Sequence, residues 1–220
     1  MNLRGLIKYA VSRDTTMKGE FRIMRKLAQE DWPRVFVDVG ANDGFYGSNS
    51  FPFVARGWRG VLIEPHPAAF EKLRHRYRNK PNATCLNLAC AESDGQRSLY
   101  FANDNPGGSR ATLCTDESER WSRVRSEEFA SVQVKRLDGL LAEQRVPLDF
   151  GILSIDTEGM DYEVLLGLDL TRWHPRLIVT EDYKPKLEIK SSYLSGHGYW
   201  KADHCDANSF WVRSPKIEKS

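Results

Sequence analysis

The chain has 220 residues, 40% of them hydrophobic and 28% charged, and its 32 Lys and Arg residues nearly balance its 30 Asp and Glu residues. This hydrophobic content and the net charge of +2 exclude a disordered chain and argue against a dedicated nucleic-acid-binding protein. The apolar runs fall far short of the about 18 residues that a membrane-spanning helix requires. Because the N-terminal residues also lack the apolar core of a signal peptide, a cytoplasmic location is the expectation.

Residues 1–30 are predicted to form an N-terminal helical arm that precedes the main domain. Their apolar residues are spaced as in two short amphipathic helices, which are separated around residues 14–16. Basic residues outnumber acidic ones here, so the arm can rest on an anionic surface, cover the mouth of a binding site or present an ordinary solvated face. Residues 31–220 are predicted to form one domain, since no linker or repeat interrupts them.

From residue 34 onward, short apolar strands alternate with helical segments. Strands are predicted at 35–39, 60–64, 84–89, 99–102, 132–134, 150–156 and 177–181, and helices at 50–56, 67–78 and 161–168. This alternation predicts an α/β fold with a mostly parallel, doubly wound sheet and ligands at the carboxyl ends of its strands. Two aromatic-rich segments, 198–201 and 208–213, predict a final antiparallel pair. The long irregular stretch at 103–128 is typical of a functional or mobile loop.

The first strand runs into a glycine turn and a helix, the setting in which nucleotide-type cofactors bind. A dinucleotide fingerprint has a glycine where this sequence has Asp38, and a carboxylate there would repel a pyrophosphate. S-adenosylmethionine suits Asp38 better, because it has no phosphate and carries an ammonium and a sulfonium group. Gly40 lets the backbone approach the adenosyl part, and Glu64, at the end of the second strand, can accept hydrogen bonds from both ribose hydroxyls. The simpler alternative is that Gly40 and Gly44 are ordinary turn glycines and that Glu64 caps a helix.

Together with later motifs, these residues resemble the FkbM-type S-adenosylmethionine-dependent methyltransferases over about residues 34–213. The matching motifs are DVGANDG (38–44), SNS (48–50), GWRG (57–60), LIEP (62–65), NLA (87–89), LDGLL (137–141) and IDTEG (155–159). The resemblance implies a class I methyltransferase fold, a Rossmann-like sheet of seven mostly parallel strands with helices on both faces, with residues 31–220 as the methyltransferase domain. The cofactor-binding residues expected from the motif and the resemblance are Asp38, Gly40, Asn42, Asp43, Gly44, Ser48, Asn49, Glu64, Asn87 and Ala89, the last two near the adenine.

A second group of acidic residues follows two later strands of the predicted sheet. Asp156 ends one strand and Glu158 follows it, while Glu181 and Asp182 stand at the end of the next strand. Methyl transfer to a hydroxyl needs a general base or a metal that lowers the pKa of the alcohol, and carboxylates can meet either need. Asp156, Glu158 and Glu181 are therefore the candidate catalytic residues. The alternative for Glu158 is that it stabilises the first turn of the next helix.

The acidic residues are also similar to those of the metal-dependent sugar O-methyltransferases related to macrocin methyltransferase. That resemblance implies a divalent metal on Asp156, Glu181 and Asp182, with Glu158 as a base. Hard oxygen ligands suit Mg²⁺ or Ca²⁺. The sequence departs from that pattern, with Glu181-Asp182 in place of two aspartates and DxEG in place of DxD. A base that works without a metal is therefore the alternative.

The family resemblance implies transfer of the methyl group to a hydroxyl oxygen of a sugar in a polysaccharide, a glycolipid or a glycosylated natural product, bound under the 103–128 loop. Two other functions stay open from the sequence. The fold could bind a nicotinamide cofactor, which Asp38 disfavours, or the protein could be a non-catalytic glycan-binding or membrane-surface module with a vestigial cofactor pocket. No nucleic-acid partner is expected, peripheral membrane contact is allowed, and the sequence indicates no oligomeric state.

Overall fold

The computed structural model describes residues 14–102, 111–113, 125–182, 184–206 and 208–214. The described helices are α1 (Glu20–Leu27), α2 (Phe51–Val54), α3 (Pro67–Tyr77), α4 (Leu137–Glu143), α5 (Asp161–Leu166) and α6 (Lys184–Gly196). The described strands are β1 (Val35–Val39), β2 (Arg59–Ile63), β3 (Ala83–Leu86), β4 (Ala89–Cys90), β5 (Gly95–Ala102), β6 (Ala111–Thr112), β7 (Arg125–Lys135), β8 (Asp149–Ile155), β9 (His174–Glu181), β10 (Tyr199–Cys205) and β11 (Asn208–Arg213). Within these ranges, no helix is both long and apolar enough to cross a membrane.

Seven strands form the main sheet in the order β10-β11-β9-β8-β1-β2-β3. The five strands from β9 to β3 are parallel, and β11 is antiparallel to both of its neighbours. The predicted α/β fold, its mostly parallel seven-stranded sheet and the final antiparallel pair are confirmed. The strand order reverses between β1 and β8, and in open α/β sheets ligands bind at such a switch point, beyond the carboxyl ends of the strands.

The two faces of the sheet carry separate apolar clusters, as expected for a sheet with helices on both sides. All five residues of β1 are buried, and they alternate between the faces because successive strand side chains point in opposite directions. Val37 joins the cluster that contains Leu140 of α4 and Val164 of α5. Phe36 joins the other cluster, with Phe53 of α2. A central strand buried on both faces in this way is typical of parallel sheets.

A second, four-stranded sheet in the order β4-β7-β5-β6 was not predicted. The sequence pattern predicts one strand over 84–89, but β3 ends at Leu86 and β4 pairs with β7 in the second sheet. The mostly apolar segment 84–89 carries no sign of such a change of sheet, which explains the error. The stretch 103–128, predicted to be irregular, contains β6 and the first residues of β7; residues 103–110 and 114–124 lie outside the described residues.

The described part of the N-terminal arm packs against the main domain. Phe21 and Met24 of α1 are buried in the same apolar cluster as Phe36. Before α1, the Thr15 hydroxyl donates a hydrogen bond to the Ser48 carbonyl at 2.9 Å. The first of the two predicted arm helices falls on residues 1–13, outside the described residues. From residue 14 onward, the arm therefore shares its core with β1.

Candidate active site

The turn after β1 lies directly against the end of β8. Gly40 has φ +92, and its N–H donates to the Ile63 carbonyl at 2.9 Å. A Cβ atom on this residue would lie 1.9 Å from the Asp156 carbonyl oxygen. Only glycine accommodates both this left-handed conformation and this approach of two backbones. The turn thereby brings the ends of β1, β2 and β8 to one point.

Asp38, the fourth residue of β1, is 3% exposed and accepts hydrogen bonds from Ser50 and Ser154. The Asn49 side-chain amide donates in turn to the Ser154 hydroxyl at 3.1 Å. Burial raises the pKa of Asp38 to about 6, and the hydrogen bonds oppose that rise only in part. A buried carboxylate without a paired cation is costly, so this site favours a positively charged ligand.

Glu64 directly follows β2 and organises the neighbouring turns. One carboxylate oxygen accepts the Asn42 N–H at 2.7 Å, and the other accepts the His66 N–H at 2.7 Å. Burial, with a smaller contribution from the charge of Asp38, raises the pKa of Glu64 to about 7. Each carboxylate oxygen can accept a second hydrogen bond, so Glu64 retains the capacity to bind ribose hydroxyls.

A cavity of about 330 Å³ opens at these strand ends. Its lining includes the predicted residues Asp38, Gly40, Asn42, Ser48, Asn49, Glu64, Ala89, Asp156 and Glu158. The structure therefore gathers most of the predicted donor-binding residues and two of the predicted catalytic acids around one space. Such a concave, partly apolar cavity with a few convergent polar groups is typical of a small-molecule site.

Three predicted cofactor-binding residues are not among the described residues that line the cavity. Asp43 accepts the Phe45 N–H at 2.8 Å and so shapes the turn after β1. Gly44 lies under α3, where an added Cβ would come within 2.4 Å of Leu73. Asn87 donates from its side chain to the Glu64 carbonyl at 2.8 Å. All three contacts support the cavity wall from outside.

Of the acidic group, Asp156 and Glu158 line the cavity beside the turn after β1, whereas Glu181 is not among the described lining residues. Asp156 follows β8, and its side chain is open to the cavity although protein atoms surround it closely. This surrounding protein raises the pKa of Asp156, and the neighbouring Glu181 and Glu158 carboxylates raise it further. Like charges close together favour the protonated form of a carboxyl group, so Asp156 binds its proton more tightly than an isolated aspartate does. Perturbed carboxyl groups of this kind are typical of functional sites.

The predicted metal ligands do not converge. Asp182 lies outside the cavity lining and accepts hydrogen bonds from the Ser209 hydroxyl at 2.6 Å and the Lys201 ammonium at 3.3 Å. In the part of the chain that the structure describes, no group of three or more His, Cys, Asp or Glu side chains could hold a metal ion. The predicted set of Asp156, Glu181 and Asp182 therefore does not fit a divalent metal, and no step is derived through one.

Several cavity residues were missed by the sequence analysis. They come from the N-terminal arm, the turn after β1 and the second sheet, and they include Met17, Tyr46, Leu99, Ala111 and Leu113. The Thr112 hydroxyl of β6 also donates to the Glu158 carbonyl at 3.0 Å. No motif marks these residues. Their position follows from the pairing of β6 with β5 and from the packing of residues 14–17 beside the turn.

The fold is that of the class I methyltransferases, and residues 38–203 match the family model described as the methyltransferase FkbM domain. The chain belongs to the FkbM methyltransferase family. This membership implies S-adenosylmethionine as the methyl donor. The ends of β1 and β2 fit such a donor, since Asp38 and Glu64 offer buried negative charge and Gly40 offers close backbone approach.

Two solved structures are similar to this chain. A methyltransferase FkbM from Methylobacillus flagellatus KT is 16% identical, with 80% of this chain and 43% of that chain covered and a TM-score of 0.51. A precorrin-6y C5,15-methyltransferase from Geobacter metallireducens GS-15 is 12% identical, with 87% of this chain and 86% of that chain covered and a TM-score of 0.46. This chain thus spans less than half the length of the first structure. None of the curated protein sequences compared with it matches it.

Binding of the donor is expected to weaken as the pH falls. The pKa values of about 6 for Asp38 and about 7 for Glu64 mean that both carboxyl groups gain protons between pH 8 and pH 5.5. Asp38 then loses its attraction for a cation, and Glu64 becomes a weaker acceptor for the ribose hydroxyls. If only the doubly ionised site binds, affinity falls about 20-fold from pH 8 to pH 6. Calorimetric titration with S-adenosylmethionine measures this fall. Glu64→Gln should make the donor affinity less dependent on pH. Glu71→Gln, which changes an exposed acid of α3, should leave the pH dependence as it is.

The raised pKa values of Asp38 and Glu64 affect the stability of the folded protein in the opposite direction from donor binding. Both folded-state pKa values lie above the ordinary range, so these groups contribute stability at low pH that is lost as the pH rises through about 6 and 7. The increase in Tm caused by S-adenosylmethionine should therefore be larger at pH 8 than at pH 5.5. An equal increase at both pH values would contradict the assignment of Asp38 and Glu64 to the donor site.

Proposed function

We propose that the protein transfers the methyl group of S-adenosylmethionine to a hydroxyl oxygen of a sugar in a polysaccharide, a glycolipid or a glycosylated natural product. The observation that carries the proposal is that Asp156 and Glu158 line the same cavity as Asp38, Gly40 and Glu64. Groups suited to a cationic donor and groups suited to an alcohol acceptor thus share one space, which favours a reaction between two bound molecules.

The donor half of the proposal rests on Asp38, Glu64 and Gly40. The ammonium of the donor would be held near the buried Asp38 carboxylate, and the ribose hydroxyls would donate to the free lone pairs of Glu64. Leu88 and Ala89 add apolar surface at the start of β4, where a planar base can pack. When bound, the donor supplies a methyl group activated by a positively charged sulfur.

The acceptor half rests on Asp156 and Glu158. An alcohol holds its proton far more tightly than a carboxylic acid, so attack by its oxygen is assisted by a base that takes the proton as the new bond forms. Burial and the neighbouring carboxylates raise the pKa of Asp156 and so make it a stronger base than an ordinary aspartate. We assign proton acceptance to Asp156 and orientation of the hydroxyl to Glu158.

A sugar acceptor is supported by the family resemblance and by the polar character of this wall. Asp156, Thr157 and Glu158 are consecutive residues of the lining and present hydrogen-bond acceptors at short intervals, as neighbouring sugar hydroxyls require. Met160 and Leu113 add apolar surface beside them. Sugar rings offer both kinds of surface, hydroxyls at the rim and C–H groups on the face.

The proposal is tested by incubating the protein with donor labelled in the methyl group and a panel of polysaccharides, glycolipids and glycosylated natural products. The expected result is an O-methyl sugar after hydrolysis, formed in equal amount with S-adenosylhomocysteine. Parallel reactions with EDTA monitor any requirement for a metal. Label found on nitrogen or carbon would overturn O-methylation. Donor binding without transfer to any member of the panel would favour the non-catalytic glycan-binding alternative.

A further inference from the structure

A buried carboxylate joins the ends of β8 and β9. Asp161, the first residue of α5, is 4% exposed. One of its oxygens accepts the Thr157 N–H at 3.1 Å and the Thr157 hydroxyl at 2.6 Å, and the other accepts the Glu181 N–H at 2.8 Å. Thr157 lies just beyond β8, and Glu181 is the last residue of β9. One side chain therefore sets the distance between two neighbouring strand ends.

A buried lysine completes this bridge from α6. Lys190 is 1% exposed, and its ammonium lies 4.0 Å from Asp161 and donates to the Glu181 carbonyl. Both polar groups of the Glu181 backbone are thus held by charged side chains, the N–H by Asp161 and the carbonyl by Lys190. At 4.0 Å the contact between the two side chains is an ionic attraction; the hydrogen bonds run through Glu181.

The turn that Asp161 holds has an unfavourable backbone. Glu158 has φ +53 and Gly159 has φ +104. A left-handed conformation is uncommon for a residue other than glycine and persists where surrounding contacts impose it. Thr157, bonded twice to Asp161, immediately precedes this turn. The bridge therefore constrains residues 156–159, the segment from which Asp156 and Glu158 face the cavity.

Burial of an ion pair is an inefficient way to gain stability, because both charges lose their water. Apolar residues could fill the same space between α5, α6 and the sheet at lower cost. What apolar residues could not do is bind the Thr157 and Glu181 N–H groups and the Glu181 carbonyl together. The Asp161–Lys190 pair therefore contributes more to the positions of these backbone groups than to the stability of the fold.

We propose that Asp161 and Lys190 are positioning residues, which hold the turn after β8 and the end of β9 in register so that Asp156 and Glu158 face the acceptor. The role in catalysis rests on the proposed methyl transfer, whereas the mechanical role does not. Neither residue lines the cavity in the described part of the chain, so their effect passes through the backbone.

The mechanical role is tested by hydrogen–deuterium exchange on the full chain. Asp161→Asn keeps one acceptor oxygen but places an amide where the second N–H is bound, and Lys190→Met removes the ammonium at similar length. Either change should speed exchange at the Thr157 and Glu181 amides about 10-fold or more, with no change in β1. Lys135→Met, which breaks an ion pair of 2.7 Å with Glu143, is the control and should leave both amides unchanged.

The catalytic role is tested with S-adenosylhomocysteine binding and with turnover on an acceptor from the panel. Asp161→Asn and Lys190→Met should each bind S-adenosylhomocysteine within about threefold of the parent chain while kcat falls 30-fold or more. The double variant should lose no more than the worse single variant, because both changes break one bridge. Asp161→Glu, which keeps the charge, should recover part of kcat.

Unchanged exchange at Thr157 and Glu181 in folded variants would overturn the proposal, as would faster exchange throughout the chain. Faster local exchange with unchanged kcat would overturn the catalytic role alone. If the parent chain methylates no acceptor, the proposed function fails, and the exchange experiment still decides whether the bridge exists.

Discussion

Gly40→Ala is expected to abolish binding of S-adenosylmethionine and to lower the free energy of unfolding by about 2–5 kcal/mol. The new methyl group would lie 1.9 Å from the Asp156 carbonyl oxygen and 2.9 Å from its carbon. Both are backbone atoms, so no side-chain rotation relieves the clash. The turn after β1 or the end of β8 must move, and both segments line the cavity.

Gly57→Ala provides a matched control for the backbone cost. Gly57 has φ +87, close to the value at Gly40, but an added Cβ would meet nothing within 4 Å. It should cost only about 1 kcal/mol and leave donor binding intact. Denaturant unfolding and calorimetric titration of both variants measure the two effects. Equal destabilisation by the two substitutions, with donor binding retained in both, would contradict the close approach of the turn and β8.

The main sheet was predictable because its signals are local. The residues of β1 form a short apolar run bounded by Pro33 and Gly40, and the same pattern recurs before Glu64 and Asp156. Each run is a strand that is buried on both faces, so its apolar content is enough to identify it in the sequence. The family motif then orders these strands and predicts seven of them.

The second sheet was not predictable because its pairing is not local. Residues of β4 pair with β7 more than 40 residues later, and β5 pairs with both β6 and β7. Nothing in the mostly apolar segment 84–89 distinguishes the residues that stay in the main sheet from those that leave it. The cavity residues Ala111 and Leu113 depend on this pairing and were missed for the same reason.

The donor side of the site was predicted better than the residues that support it. Asp38, Gly40 and Glu64 lie at strand ends, where spacing along the chain translates directly into position. Asp161 and Lys190 gave no comparable signal, since one begins a helix and the other lies inside a later helix. Only the packing of α5 and α6 against β9 brings them together at Glu181.

Asp156→Ala and Glu158→Ala are each expected to lower kcat by about 10²–10⁴-fold while leaving donor binding nearly intact. Each change removes a carboxylate from the acceptor wall and leaves Asp38 and Glu64 in place. Single-turnover measurements with labelled donor, alongside titration with S-adenosylhomocysteine, separate the two effects. Asp31→Ala, at an exposed acid before β1, is the control and should change neither. Turnover that survives both cavity substitutions would refute the acid-cluster mechanism.

Stability should move in the opposite direction from activity in these variants. Besides burial, the like charges of Glu181 and Glu158 raise the pKa of Asp156, so removing one of them relieves a repulsion in the folded protein. A variant that loses turnover and keeps or gains Tm would therefore indicate a cluster maintained for chemistry, whereas parallel losses of both would indicate a structural role.

The pH profile distinguishes Asp156 from Glu158 as the base. At saturating donor, kcat should rise with pH and level off above the raised pKa of the base, because only the ionised carboxylate accepts a proton. Glu181→Gln removes the strongest of the like charges that act on Asp156, so the pKa of Asp156 falls and the rising limb moves to lower pH. If the rising part of the kcat profile does not move in Glu181→Gln, proton transfer is assigned to Glu158, and Asp156 orients the acceptor.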